Sequence, residues 1–97
     1  QMQKEGEEFL RSKRDAKESL KYVLFYLKEK KISKVTNDNA REIINKITVD
    51  RSIKKGILMK SLRVAFFGCL SGPDLIKSWE LFSENKIDIP LIERCFI

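Results

Sequence analysis

"MKSLRVAFFGCLSGPDL" (residues 59–75) joins an apolar run to two helix-breaking glycines, and this junction decides how the chain folds. The apolar residues before the first glycine share one helical face, which predicts a helix over residues 57–67. A strand is the alternative for "RVAFF", but partner strands are scarce elsewhere in the chain. Gly68 is typical of the left-handed residue that follows a helix. Ser71 can then cap the next helix, with Pro73 in its first turn.

The same helical period of apolar residues recurs on both sides of this junction. It predicts a central helix over residues 15–31 and another over residues 38–47. Thr36 or Asn37 can cap the second of these, and Asp88 can cap a last helix near the C-terminus. The charged segment at the N-terminus is a short helix or a frayed lead-in.

Five or so short helices with brief connections favour an all-α orthogonal bundle. A chain of 97 residues fits one small domain, so we expect residues 1–97 to form a single helical domain. No apolar run reaches the ~18 residues of a membrane span, and the N-terminal segment lacks the layout of a signal peptide. Because the chain begins with Gln1 and not with an initiator methionine, we expect it to be part of a longer protein.

The composition excludes several kinds of catalytic site. The chain has no histidine, which excludes Ser-His-Asp and Cys-His nucleophiles, histidine-zinc sites and histidine acid–base catalysis. It also lacks a glycine-rich phosphate loop. Cys69 and Cys95 are too few and too far apart for a zinc site, so we expect them to be buried free thiols. The sequence therefore predicts no catalytic residue and no metal site.

The charge of the chain favours a polyanionic partner. The net charge is +6 at pH 7 and the isoelectric point is near 9.5, which is typical of nucleic-acid binding. The alternative is a lysine-rich surface with no partner of this kind. Three lysines near the junction are candidate contacts to a phosphate backbone: Lys54, Lys55 and Lys60.

Arg63 interrupts the apolar run, and two roles for it remain open. Its planar guanidinium can bind a base edge of single-stranded RNA, or it can form a salt bridge, for example with Asp74. The Gly72-Pro73 segment predicts a loop that leads into a helix N-terminus, where free N–H groups can bind a phosphate or a base carbonyl. The Pro73 ring and Leu75 offer an apolar face on which a base can stack.

The stretch "KKGILMKSLRVAFFGCLSGPDL" (residues 54–75) resembles the C-terminal anticodon-binding domain of bacterial-type glutamyl-tRNA synthetases, and is most similar to the cyanobacterial and plastid branch. The shared pattern is a Leu-Arg-x-Ala element and a glycine, followed by Gly-Pro-x-Leu. "AREIINKI" matches the preceding helix of the family. Two residues depart from the pattern: Phe67 stands where threonine is usual, and Ser61 where proline is frequent.

The resemblance implies an all-α domain of a class I synthetase that binds the anticodon loop of tRNA, with the rest of the synthetase preceding it in the chain. Arg63 matches the arginine that recognises an anticodon base. The loop and helix start that contact the last anticodon bases match Gly72, Pro73 and Leu75. Lys60 matches a neighbouring contact position. By the same resemblance, ATP and Mg²⁺ serve the complete enzyme, and this part needs no cofactor.

The expected setting follows from the same family. We expect a monomer without membrane contact in the cytoplasm, or in the plastid if the source is an alga or a plant. The alternative to RNA binding is a helical protein–protein interaction module with an incidental basic surface.

Overall fold

The computed structural model of the chain describes residues 3–96. They form six helices and a closing 3-10 turn, namely α1 (Lys4–Ser12), α2 (Arg14–Glu29), α3 (Asn37–Asp50), α4 (Lys55–Phe67), α5 (Leu75–Glu84), α6 (Asp88–Glu93) and the turn Arg94–Phe96. No strand occurs in this part of the chain, so the predicted all-α class is confirmed. Of the predicted domain, Gln1, Met2 and Ile97 lie outside the described residues. Across residues 3–96, no helix is both long and apolar enough to cross a bilayer.

The helix at the centre of the bundle is α4, which contacts each of the other five helices. The sequence predicts α2 in this place, because Tyr22, Phe25 and Tyr26 widen its apolar face. Whereas α2 buries one stripe of residues, α4 is buried around most of its circumference, through Leu58, Ser61, Leu62, Val64, Ala65 and Phe66. The half-buried strip that remains on α4 includes Met59, Arg63 and Phe67. Arg63 therefore stands on the most enclosed helix of the fold.

Two predicted helix ends are confirmed. Thr36 caps α3 through a capping box, in which its hydroxyl accepts from the Asn39 amide and the Asn39 side chain accepts from the Thr36 amide, both at 3.2 Å. Gly68 follows α4 with a φ of 77°, and its amide donates to the Val64 carbonyl. A residue with a Cβ would be strained there, which explains why glycine ends α4.

The predicted start of α5 is wrong by several residues. The helix begins at Leu75, and its cap is Asp74, whose carboxylate accepts from the Lys77 amide at 3.1 Å. Had Ser71 been the cap, the carbonyls of Gly72 and Pro73 would accept from the amides four residues later, those of Ile76 and Lys77. Both carbonyls instead accept from the Arg63 side chain, which keeps these residues in the loop.

The predicted capping role of Asp88 is also wrong. α6 begins at Asp88 itself, and the preceding residue, Ile87, provides no side-chain cap. The Asp88 carboxylate accepts from the indole nitrogen of Trp79 at 3.2 Å, and Trp79 is fully buried. Because a buried indole N–H needs an acceptor, the Asp88 carboxylate is held inside the bundle and does not cap α6.

Two hydrogen bonds join the start of α3 to α5. The Val35 amide donates to the Ser83 hydroxyl at 2.6 Å, and both residues are buried. The Asn37 amide donates to a Glu80 carboxylate oxygen at 3.2 Å. Amides that precede or begin a helix lack helical partners, so α5 supplies the acceptors that α3 needs. These bonds fix α3 beside α5, on the side of α4 that carries Arg63.

Candidate nucleic-acid interface

Arg63 is hydrogen-bonded to the loop between α4 and α5. One terminal nitrogen, Nη1, donates to the Pro73 carbonyl at 2.8 Å and to the Gly72 carbonyl at 3.3 Å. The expected alternative of a salt bridge with Asp74 is wrong, because the Asp74 carboxylate caps α5 and forms no ion pair within residues 3–96. The side chain therefore holds the Gly72-Pro73 segment against α4.

The Arg63 guanidinium retains donors for a ligand. A guanidinium has five N–H groups in one plane, and both loop bonds are made from Nη1. Nε and Nη2 make no hydrogen bond to the described part of the chain. Arg63 is half-buried, so part of its side chain is accessible to solvent. A base edge with two acceptors can bind this side of the group without breaking the loop contacts.

Gly72 is packed directly against the ring of Phe67. A Cβ built on Gly72 would lie 2.5 Å from Phe67 Cδ2 and 3.0 Å from Cγ, closer than atoms can approach. Phe67 also makes an edge contact with Phe82, with ring centroids 6.2 Å apart. Both the Phe67 ring and the Arg63 side chain, one turn apart on α4, therefore contact the loop and hold it against this helix.

The structure separates Pro73 from Leu75 in their expected roles. Pro73 is exposed, so its ring is available to a base. Leu75 is only 2 % exposed because it is the first residue of α5 and packs into the core. The prediction that a base stacks on Leu75 is therefore wrong. Leu75 instead packs into the core and anchors the end of the loop there.

The carboxylate at the helix start is ionised at neutral pH. The hydrogen bond from the Lys77 amide is the main reason that the pKa of Asp74 lies below its usual value, and the charges of Lys77 and Arg41 add to the effect. A negative charge at this helix N-terminus opposes a phosphate there. The anion site expected at the α5 terminus is already filled by Asp74.

The three candidate lysines lie on or next to α4, and all are exposed. Lys54 precedes the helix, Lys55 is its first residue, and Lys60 lies three residues before Arg63. Within residues 3–96, the lysine and arginine side chains form two ion pairs, Lys28 with Glu93 and Lys46 with Asp50. None of the three candidate lysines takes part in either pair. All three lysines can therefore meet phosphates.

Two residues that the sequence does not single out lie beside this surface. Arg41 and Asn45 are exposed and lie one turn apart on α3, where they line a groove together with residues of α4 and α5. They occur in the "AREIINKI" segment, where their spacing of four predicts a common face. Only the packing of α3 against α5 shows that this face borders the Arg63 surface.

A larger cavity lies elsewhere and has mixed charge. It measures about 490 Å³, and its lining includes Arg51, which stacks 4.2 Å above the Tyr22 ring. Acidic residues at Asp15 and Glu18 share this lining with the basic ones. Because carboxylates repel a polyanion, this cavity fits RNA less well than the surface at Arg63.

The cysteines are free, as expected, but only one is buried. Burial raises the pKa of the Cys95 thiol. Cys69 is half-exposed in the loop after α4, where its thiol donates to the Ser71 carbonyl at 3.0 Å. Residues 3–96 contain no cluster of three or more potential metal ligands.

Comparison with known proteins identifies the family. The model of the family described as "Anticodon binding domain" matches residues 3–87. A glutamate–tRNA ligase of Prochlorococcus marinus subsp. pastoris is 84% identical over 99% of this chain, and one of Prochlorococcus marinus strain MIT 9515 is 74% identical over all of it. The chain spans about a fifth of the length of these curated relatives, 20% in each case. No solved structure matches.

These matches confirm the family that the Leu-Arg-x-Ala and Gly-Pro-x-Leu elements indicated, and they disfavour the alternative of a protein–protein interaction module. The family model covers most of the described helices, including all of α3, α4 and α5. The chain belongs to the anticodon binding domain family, as it occurs in glutamate–tRNA ligases.

Proposed function

We propose that this chain is the anticodon-binding part of a glutamate–tRNA ligase and that Arg63 recognises a base of the anticodon loop. The observation that carries the proposal is the position of the Arg63 guanidinium. Nη1 is bonded to the 72–73 carbonyls, whereas Nε and Nη2 make no hydrogen bond within residues 3–96. Two fixed bonds preorganise the group, which lowers the entropy lost on binding.

The loop and the lysines have distinct roles in this proposal. An unstacked base rests on the exposed Pro73 ring, beside Gly72, whose missing side chain lets the loop lie against Phe67. Lys54, Lys55 and Lys60 bind phosphates, which adds affinity without sequence information. Leu75 does not contact the base but positions the loop, because its burial in the core fixes where the loop ends.

The remaining steps of the ligase belong to the rest of the protein. Activation of glutamate with ATP and Mg²⁺ needs a nucleotide site, and this chain contains neither a histidine nor a glycine-rich phosphate loop to form one. Its contribution is to bind the distal end of the tRNA. We place the protein in the cytoplasm, or in the plastid of a photosynthetic eukaryote, as a monomer whose partner is tRNA.

The test is Arg63→Ala in the complete ligase, measured by binding of a labelled anticodon stem-loop and by the kcat/KM of tRNA charging. A bidentate base contact discriminates by about 1–3 kcal/mol on the scale known for DNA, so we expect affinity to fall by roughly 5- to 150-fold. Arg63→Lys keeps the charge but not the planar group, and should recover only part of the loss.

A matched control is Arg51→Ala, which removes the same charge at the Tyr22 ring, away from the loop. We expect this variant to bind the stem-loop within about twofold of the parent protein, as for a charge outside the interface. Circular dichroism checks that both variants are folded. Equal stem-loop affinity for Arg63→Ala and the parent protein, at low and at high salt, would contradict the proposal.

A further inference from the structure

A groove adjoins the surface that carries Arg63. It lies where α3, α4 and α5 meet and has a volume of about 120 Å³. Its lining consists of Arg41, Ile44, Asn45, Lys55, Met59 and Ile76. The groove is separate from the larger cavity at Tyr22, with which it shares no residue.

The groove combines an apolar floor with a basic rim. Ile44 and Ile76 are 2 % and 7 % exposed, and Met59 is half-buried beside them. The rim residues, Arg41, Asn45 and Lys55, are all exposed. This combination suits a nucleotide, because an apolar floor can contact the face of a base, an amide can donate to and accept from its edge, and cations can bind its phosphate.

The rim is partly fixed in place. Arg41 Nε donates to the Asn37 side-chain oxygen at 2.8 Å, which orients the guanidinium. Asn37 is itself bonded through its amide to Glu80 on α5. The charge of Arg41 contributes to the lowered pKa of Asp74. The Asp74 carboxylate nevertheless accepts from the Lys77 backbone amide and forms no ion pair among the described residues. Arg41 therefore remains available to an anion.

The groove is continuous with the Arg63 surface. Met59 lies four residues before Arg63, so the two side chains share one face of α4 and are about 6 Å apart along its axis. At its other side, Ile76 follows the 68–74 loop by two residues. A single strand held at Arg63 can place its neighbouring nucleotide here.

We infer that this groove binds a second unpaired nucleotide of the same RNA loop, adjacent to the one at Arg63. Its base lies on Met59 and Ile76 with its edge at the Asn45 amide, and its phosphate lies between Arg41 and Lys55. The inference rests on the proposed function, since it extends the RNA surface by one nucleotide.

The first test compares two double variants of the complete ligase, using a fluorescein-labelled anticodon stem-loop of glutamate tRNA. Arg41→Gln/Lys55→Gln removes the groove cations, and Lys55→Gln alone measures the phosphate contact that the proposed function already assigns to Lys55. Lys17→Gln/Lys21→Gln removes the same charge from α2, where both residues lie beside Phe96. We expect the groove variant to bind about tenfold more weakly and its salt slope to fall by about 1, as for one or two lost phosphate contacts. The α2 variant should lose about threefold at most.

The second test locates the base. It uses a set of stem-loops, each with one loop base deleted to leave an abasic sugar. We expect Asn45→Ala to abolish the penalty of deletion at one loop position, and Arg63→Ala to abolish it at the neighbouring position. Asn45 is exposed, so its replacement should change the free energy of unfolding by no more than about 0.5 kcal/mol.

The outcomes separate this inference from the proposed function. If the groove variant matches the α2 variant, or if Asn45→Ala keeps every deletion penalty, the groove does not bind a nucleotide. The proposed function then still stands if Arg63→Ala weakens binding. If Arg63→Ala is also silent, and an unrelated hairpin binds equally well, both fail.

Discussion

Phe67 and Gly72 form a matched pair, and neither can be understood without the other. Phe67 departs from the family pattern, in which threonine is usual at this position. The structure gives its ring two partners, the backbone of Gly72 and the edge of Phe82. The missing side chain at residue 72 makes the space that the larger ring fills.

This pairing predicts that Gly72→Ala displaces either the ring or the loop. Its Cβ would overlap Phe67 Cδ2, at 2.5 Å, so we expect the free energy of unfolding to fall by about 1–3 kcal/mol, as for an overpacked site. Stem-loop affinity should fall as well, because the carbonyls bound by Arg63 move with the loop. Urea denaturation and fluorescence anisotropy measure the two effects.

The double variant Phe67→Thr/Gly72→Ala isolates the cause. Threonine removes the ring, so the alanine should cost less beside it than beside phenylalanine. A double-mutant cycle measures this difference as a coupling free energy. A coupling of zero would mean that the ring does not limit residue 72.

The sequence places Arg63 correctly but does not identify its partners. Helical spacing brings it to a half-exposed strip of α4, and the Gly-Pro pair nearby predicts a loop. The carbonyls that it binds are nine and ten residues away across that loop. The path of such a loop depends on tertiary contacts, here on the Phe67 ring, and no local propensity encodes it.

At the scale of elements, the bond between Ser83 and Val35 joins two helices at a buried point. The Val35 amide has no helical partner, because it lies just before α3, and the Ser83 hydroxyl is its acceptor at 2.6 Å. From the sequence, a serine inside a helix does not predict a hydrogen bond to the backbone of another helix's lead-in. The bond therefore became visible only in the packed structure.

We expect Ser83→Ala to destabilise the protein by about 1–3 kcal/mol, the cost of a buried amide left without an acceptor. Ser78→Ala on the same helix is the control, since Ser78 is half-buried and its hydroxyl makes no hydrogen bond to another described residue. Its effect should stay within about 0.5 kcal/mol. Equal unfolding midpoints in urea for the two variants would show that water replaces the serine.

The helix ends divide into those encoded locally and those set by packing. Thr36 and Gly68 act within their own turns, so the sequence predicts them. The same local rules predict a cap at Asp88, but its carboxylate accepts from the buried Trp79 indole instead. Similarly, Arg63 takes the carbonyls that a helix starting near Ser71 would need.

For the whole molecule, the net charge of +6 predicts a strong dependence of RNA binding on salt. Replacing Lys54, Lys55 and Lys60 by Gln should lower the slope of log K against log salt by about 2, at ~0.7 per single-strand phosphate contact. Specificity for loop bases should stay unchanged, because phosphate contacts carry no sequence information. Titration of the stem-loop between low and high salt measures the slope.

A triple variant at Lys17, Lys21 and Lys34 is the matched control for this measurement, since all three residues are exposed and lie away from α4 in sequence. We expect its slope to stay close to that of the parent protein. An equal drop in both triple variants would mean that only the total charge matters and that the three lysines at α4 make no specific contact.

The all-α class follows from the sequence because apolar period and caps act locally and agree with each other. The arrangement of the helices does not follow, because it depends on which faces meet. The sequence predicts α2 at the centre, but α4 takes this place, since its own buried residues, small or apolar, cover most of its circumference. The groove at Arg41 likewise depends on packing, since its lining comes from α3, α4 and α5.

The hydrogen bonds between α3 and α5 also bear on the order in which the protein can fold during synthesis. When Phe67 has just been made, all of α1 to α4 exists, but the acceptors for Val35 and Asn37 do not. The indole that fills the core, Trp79, is also still missing. The emerging chain therefore stays open on one side until α5 leaves the ribosome, and a pause in translation before that point prolongs the exposure of its core.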